Sequence, residues 1–231
     1  MAANTEQIAL RAADGQELGA YVAWPSGEPV AGLVVIQEIF GVNAHIRRVA
    51  DSYARDGFLA IAPALFDRIE KGVELAYEGS DAAKARSFIP RLDMESAMLD
   101  VEAALQYAAK STESKVGSKV GAIGYCWGGT LAWLAASRLP VQAAVGYYGG
   151  RIINYVHEQP RCPVMLHFGT QDQHIPKADV DKIQAAHPDV DIFRYDAGHG
   201  FNCDARASYN SDAATLARER SLAFLIQHLR M

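Results

Sequence analysis

Two periodicities take turns along this chain. Residues 8–10 and 18–22 are strand-like runs on either side of Ala13-Asp14-Gly15-Gln16, and the Asp-Gly pair predicts a hairpin. Residues 32–36 form a continuous apolar run, the pattern of a strand buried on both faces. Asn43 stands where it caps a helix carrying Ile46, Val49, Ala50 and Tyr53, and Gly57 ends that helix. Residues 58–62 read as the next strand, closed by Pro63. Residues 67–92 are polar and irregular, with room for one short helix. From 93 to 109 apolar residues recur at helical spacing. A strand over 120–125 runs into a glycine-rich turn, and a helix follows over 130–139. Strands over 141–148, 163–168 and 190–195 then alternate with helices over 176–186 and 213–229. This alternation predicts the α/β class: a mostly parallel central sheet, helices on both faces and an antiparallel hairpin at the N-terminal edge. With no internal repeat or linker, residues 1–231 read as one domain.

Composition narrows the classes. Hydrophobic residues make up 50% and charged residues 21%, which excludes a disordered chain, a collagen-like repeat and a coiled coil. There are 22 basic and 27 acidic residues, so the basic excess of a nucleic-acid binder is missing. The apolar runs fall far short of the roughly 18 residues that a membrane span needs. The first residues carry neither a basic region nor an apolar one, so no leader and a cytoplasmic location are expected. Cys126, Cys162 and Cys203 sit in no CxxC and no Cys/His cluster, and no disulfide framework, metal or cofactor is expected.

The chemistry centres on Gly124-Tyr125-Cys126-Trp127-Gly128-Gly129, where a strand turns into a helix. A nucleophile on such a turn adopts a strained backbone, and glycines two positions to either side let strand and helix pack closely. No serine in the chain has glycine at both positions, so the thiol of Cys126 is the nucleophile this turn presents. The helix start favours a thiolate and aims free N–H groups at a developing oxyanion. A thiol nucleophile needs a base, and the base an orienting acid. His199, in Gly198-His199-Gly200-Phe201, lies just after a strand, where parallel sheets present their active-site loops. His167 lies inside a strand and reads as a core histidine, while His157, His187 and His228 read as solvated and His174 is the nearest rival. Asp172 follows the preceding strand and is the candidate acid, with Asp179 and Asp196 as competitors.

Five segments together resemble the dienelactone hydrolase (carboxymethylenebutenolidase) family of the α/β-hydrolase fold. They are Gln37-Glu38-Ile39-Phe40-Gly41, Ala62-Pro63-Ala64-Leu65-Phe66, the turn at Cys126, Gly169-Thr170-Gln171-Asp172 and Gly198-His199-Gly200-Phe201. The resemblance implies a Cys126-His199-Asp172 triad that hydrolyses an ester or lactone through a thioester. It also implies that Glu38 interacts with the nucleophile and helps form the thiolate. The elbow geometry makes the N–H groups of Trp127 and Ile39 the oxyanion hole. By the same resemblance the protein is a monomer acting on a small-molecule ester or lactone.

The sequence departs from the family in the two arginines that hold a substrate carboxylate. One family position falls near Ala82 and the other at Cys203; Lys84, Arg86 and Arg206 are the nearby cations that stand in for them. Phe40, Tyr77 and Tyr125 are the further candidates for lining the pocket. Without the two clamps the alternative is a broad aryl or alkyl carboxylesterase with a phosphotriester side reaction. Less favoured is a hydrolase-fold protein that binds a ligand and does no chemistry.

Overall fold

The structure is a computed structural model that describes residues 4–116 and 119–230, and the side chains of residues 113–118 fall outside that description. Residues 1–3, part of the stretch read for a leader, lie outside the described residues. In chain order the strands are β1 (Asn4–Arg11), β2 (Glu17–Trp24), β3 (Ala31–Ile36), β4 (Phe58–Pro63), β5 (Val120–Tyr125), β6 (Ala143–Tyr147), β7 (Val164–Gly169) and β8 (Asp191–Tyr195). The helices are α1 (Ala44–Arg55), α2 (Gly79–Phe88), α3 (Met94–Val116), α4 (Trp127–Arg138), α5 (Lys177–Ala186) and α6 (Ser211–Leu229). Among the described residues the strands make one sheet in the order β1-β2-β4-β3-β5-β6-β7-β8. β1 pairs antiparallel with β2 and β2 antiparallel with β4; from β4 to β8 every pairing is parallel. This is the α/β-hydrolase fold, with the hairpin at its edge as expected.

Helices cover both faces because every residue of β3 through β7 is buried. Two glycines reveal the two layers. Gly32 pairs with Val120 and Leu33 with Gly121, so Gly32 and Gly121 point to opposite faces. Ala108 of α3 presses on Gly32, and Leu225 and Leu229 of α6 press on Gly121. α4 packs with α3, and α1 joins α6 through the Arg218–Asp56 ion pair. Asn43 caps α1 as its sequence predicts, its Oδ1 accepting from the N–H of Ile46 at 3.2 Å.

The structure corrects two boundaries. α4 starts at Trp127, three residues ahead of the expected Thr130, so the glycines of the turn form its first turn. α3 runs to Val116, past the apolar pattern that ends at Ala109. Residues 67–92 hold the one short helix for which the sequence left room, α2, between two 3₁₀ turns, Leu65–Arg68 and Ile89–Arg91. No helix of the described residues is long and apolar enough to cross a membrane.

Close approach of α4 to the sheet sets the site. A Cβ on Gly128 would lie 2.4 Å from the carbonyl oxygen of Ile36 and 2.5 Å from that of Gln37. Backbone oxygens in the middle of the sheet have no room to yield. Gly128→Ala is therefore expected to destabilise the fold by about 2 kcal/mol, in the range of core overpacking. Urea denaturation followed by circular dichroism measures this, and an unchanged midpoint would contradict the packing described.

Candidate active site

Cys126 sits between β5 and α4 with φ 55° and ψ −115°, a region non-glycine residues seldom enter. Its conformation is overdetermined. Its N–H donates to Tyr147 O at 2.9 Å and its carbonyl accepts from Gly129 N at 3.0 Å. A Cβ on Gly124 would fall 1.9 Å from Gly128 O, so strand and helix meet here only through glycines. The thiol is half-buried and lines a cavity of about 370 Å³.

Two loops from the C-terminal ends of β7 and β8 complete a line of three side chains. His199 Nε2 lies 3.2 Å from Cys126 Sγ, and His199 Nδ1 lies 2.7 Å from Asp172 Oδ2. The other Asp172 oxygen accepts from the His174 N–H at 2.8 Å, so both oxygens of this buried carboxylate are engaged. Ser208 Oγ–H donates to His199 O at 2.6 Å and holds the loop. The two competing acids lie elsewhere: Asp196 accepts from Gln171 at 2.6 Å, and Asp179 is in the first turn of α5. Burial by itself would lower the pKa of His199. The Cys126 sulfur and Asp172 outweigh it and hold the ring up to about 10. The ring thus stands between the sulfur at Nε2 and the carboxylate at Nδ1.

The segment after β3 forms the opposite wall. Gln37 is fully buried; its Oε1 accepts from Leu65 N at 3.1 Å and its amide donates to Glu38 O at 3.1 Å. Gly41, at φ 78°, passes where a Cβ would meet Val73 O at 1.8 Å. These contacts set Ile39 and Phe40 at the cavity beside Trp127. Among the described residues neither the Ile39 nor the Trp127 N–H donates to a protein acceptor outside the regular elements. Trp127 is also the first residue of α4, where backbone N–H groups have no intrahelical partner.

Glu38 is fully buried and pairs with Arg206, its Oε1 accepting from Nη1 at 3.1 Å. Sequence order gave no hint of this contact, since the two are 168 positions apart. The structure thus sets Glu38 on Arg206, while the Cys126 sulfur meets His199. Gly200 makes the reach possible: at φ 76°, its Cβ would strike the Arg206 guanidinium at 2.5 Å. Burial opposes the Arg206 charge, and Glu38, with smaller contributions from Tyr148, Cys126 and Cys203, more than restores it. Cys203, at the family's arginine position, is fully buried; desolvation and then Glu38 push its thiol up to about 11, so it stays neutral.

Four other expectations need correction. Lys84 does not reach the cavity; it pairs with Glu70 at 2.6 Å on the surface. Tyr125 is fully buried in the core, because β5 turns it towards the rings of His45 and Tyr147 and away from the cavity. Tyr77 packs behind the wall on Phe40, with ring centroids 4.4 Å apart, and does not line the cavity. His187 is buried, with its Nε2 2.6 Å from Val156 O and its ring against Trp133. Phe40, Arg86 and Arg206 do line the cavity. His167 is the satisfied core histidine its strand suggested, bonded to Tyr195 and Ser221.

Sequence reasoning missed Arg151, Thr130, Ile175, Ile89 and Leu92, which also line the cavity. For Arg151 a signal existed: it follows Tyr148-Gly149-Gly150 at the C-terminal end of β6. The fold also brings one ligand-type atom each of His45, Cys203 and Asp204 within 4.8 Å of one another, although Asp204 already accepts from Arg48 at 2.7 Å.

Comparison with known proteins agrees with this architecture. Residues 18–229 match the model described as the Dienelactone hydrolase family. The carboxymethylenebutenolidase of Pseudomonas putida is 36% identical over 228 residues, covering 96% of each chain. A crystal structure from Klebsiella pneumoniae, described as a candidate dienelactone hydrolase, aligns with a TM-score of 0.87 and 27% identity over 98% of this chain and 100% of that one. A dienelactone hydrolase-like promiscuous phosphotriesterase from metagenomic libraries shares the fold, with a TM-score of 0.82 and 20% identity over the whole of both chains.

The ring of His199 is expected to titrate near pH 10 in an NMR experiment, and Cys126→Ala to lower that value by removing the sulfur. The sign for stability follows. A histidine raised above its unfolded value of about 6.5 stabilises the fold fully below that pH, and the contribution is lost as pH rises towards 10. Titration of the unmodified protein near 6.5 would contradict the described coupling.

Proposed function

The chain belongs to the dienelactone hydrolase family and is a hydrolase acting on esters or lactones; from that premise we propose that hydrolysis runs on Cys126, His199 and Asp172 through a covalent thioester. The observation that carries this reading is the unbroken line Asp172–His199–Cys126, at 2.7 and 3.2 Å, opening into the cavity. His199 begins the cycle as an imidazolium against a thiolate, in keeping with its raised pKa. The sulfur attacks the carbonyl carbon, and the carbonyl oxygen becomes an oxyanion between the N–H groups of Trp127 and Ile39. Each such donor contributes about 3–4 kcal/mol in comparable sites. When the intermediate collapses the carbon–oxygen bond breaks, and His199 Nε2–H gives its proton to the leaving alkoxide.

Acylation then changes the base. The sulfur charge that held the His199 pKa up is gone in the neutral thioester, so the ring falls back towards the ordinary histidine range and takes a proton from water. Water adds to the thioester, the thiolate leaves, and the imidazolium faces it again. Asp172 fixes the ring orientation throughout. Glu38 alone would oppose the thiolate, as any nearby carboxylate does. Its pairing with the half-buried cation of Arg206 removes that opposition.

A phosphotriester side reaction is the second reading. The same sulfur and the same pair of N–H groups suit attack at a tetrahedral phosphorus, and the metagenomic neighbour is described as a promiscuous phosphotriesterase.

Cys126→Ala is expected to lower kcat/KM for p-nitrophenyl acetate and for dienelactone by at least about a thousandfold, the usual loss on removing a nucleophile from a triad. The circular dichroism spectrum should stay unchanged. Turnover surviving in the folded variant would overturn the reading. Glu38→Gln, which loosens the hold on the Arg206 side chain at the cavity, is expected to lower kcat/KM about tenfold or more, in the range of a lost charge-assisted pair. Steady-state kinetics on the same two substrates check this, and unchanged values would remove Glu38 from the account.

A further inference from the structure

Three guanidinium groups line an otherwise largely apolar cavity: Arg86, Arg151 and Arg206. Arg206 is engaged by Glu38. Arg151 has no carboxylate partner among the described residues. Its backbone is nevertheless fixed. Its N–H donates at 3.2 Å to Oγ1 of Thr130, a fully buried residue in the first turns of α4. The preceding Gly150 leaves room for Ile175, which a Cβ there would approach to 3.2 Å. His174 completes this wall. Its backbone is held by Asp172, and its ring stands edge-on to His199 with centroids 5.2 Å apart. An unpaired cation on a rigid, half-buried wall, facing an apolar cavity beside the reacting sulfur, is built to meet an anion from outside the protein.

The strand order tells which part of a substrate that anion belongs to. Ile39 and Phe40 follow β3, on one side of the Cys126 strand; Arg151 and His174 follow β6 and β7, on the other. The leaving oxygen takes its proton from His199 Nε2, and His174 packs on that same ring. We propose that Arg151, on the same cavity wall as His174, is a further specificity-determining residue of the hydrolysis and binds a carboxylate on the alcohol portion of the substrate. This subsite belongs to the β6–β7 wall and is separate from the family's two clamp positions near Ala82 and at Cys203. The inference rests on the hydrolytic reading given above.

Matched ester pairs test it. The alcohol-side pair is p-acetoxybenzoate and its neutral methyl ester; the acyl-side pair is mono-p-nitrophenyl glutarate and its methyl ester. Arg151→Met is expected to lower the ratio of kcat/KM, charged over neutral, by about tenfold or more for the alcohol-side pair, the scale of a lost charge-assisted contact. The acyl-side ratio should hold, and Arg151→Lys should restore part of the alcohol-side ratio. In the unmodified protein p-hydroxybenzoate should inhibit competitively and more strongly than methyl p-hydroxybenzoate, which needs no variant to fold. An alcohol-side ratio indifferent to Arg151, a fall confined to the acyl-side ratio, or stronger inhibition by the neutral phenol each overturns the subsite while leaving the hydrolase reading intact. Failure of the unmodified protein to hydrolyse any of the four esters would instead bring down the hydrolase reading and this inference together.

Discussion

Everything at this site depends on how closely α4 approaches the sheet. The turn at Cys126 exists because Gly124 and Gly128 bring backbone against backbone at distances no Cβ would tolerate. That contact holds Cys126 at a positive φ, lifts its sulfur above the C-terminal edge of the sheet and points the first N–H groups of α4 at the same spot. The loops after β7 and β8 then have only short distances to span. Asp172 and His199 come from neighbouring parallel strands, and the parallel register brings their ends level. The Asp172–His199–Cys126 line is thus a consequence of sheet order more than of any single loop.

Charge is managed within the same small volume. A buried carboxylate, a half-buried guanidinium, an imidazole and a thiol lie close together at or just behind the cavity wall. Glu38 and Arg206 neutralise one another, and Asp172 has both oxygens hydrogen-bonded. Cys203 remains a neutral thiol under the combined effect of burial and Glu38. Under the proposed mechanism His199 is the group whose protonation follows the covalent state of the sulfur. In the proposed cycle its raised pKa at rest and its relaxation on acylation let one imidazole serve as acid and then as base.

Much of this was legible in the sequence because it is carried by short, contiguous signals. Continuous apolar runs marked the buried strands, and glycines at fixed spacing marked the elbow. Nucleophile, acid and histidine kept their chain order, and the structure brings Cys126, Asp172 and His199 together. What stayed hidden was contact between distant segments. Arg206 reaches Glu38 only because Gly200 leaves room for the guanidinium, and no local pattern announces that. Lys84 and Arg86 are two residues apart on α2, and only the helix determines that Arg86 lines the cavity while Lys84 pairs with Glu70. Tyr125 looked available beside the nucleophile, yet strand geometry turns it into the core. The start of α4 was misplaced for a related reason: glycine's low helix propensity argues for a turn, and tight packing overrides it.

The central claim is a covalent bond to one named sulfur. A rapid acid quench during the first turnovers of p-nitrophenyl acetate, followed by peptide mass mapping, tests it directly. The account predicts a single acetyl group on Cys126, with Cys162 and Cys203 unmodified, and its removal by hydroxylamine as expected of a thioester. An acetyl group on any other residue, or a burst of p-nitrophenol with Cys126 left free, would contradict it.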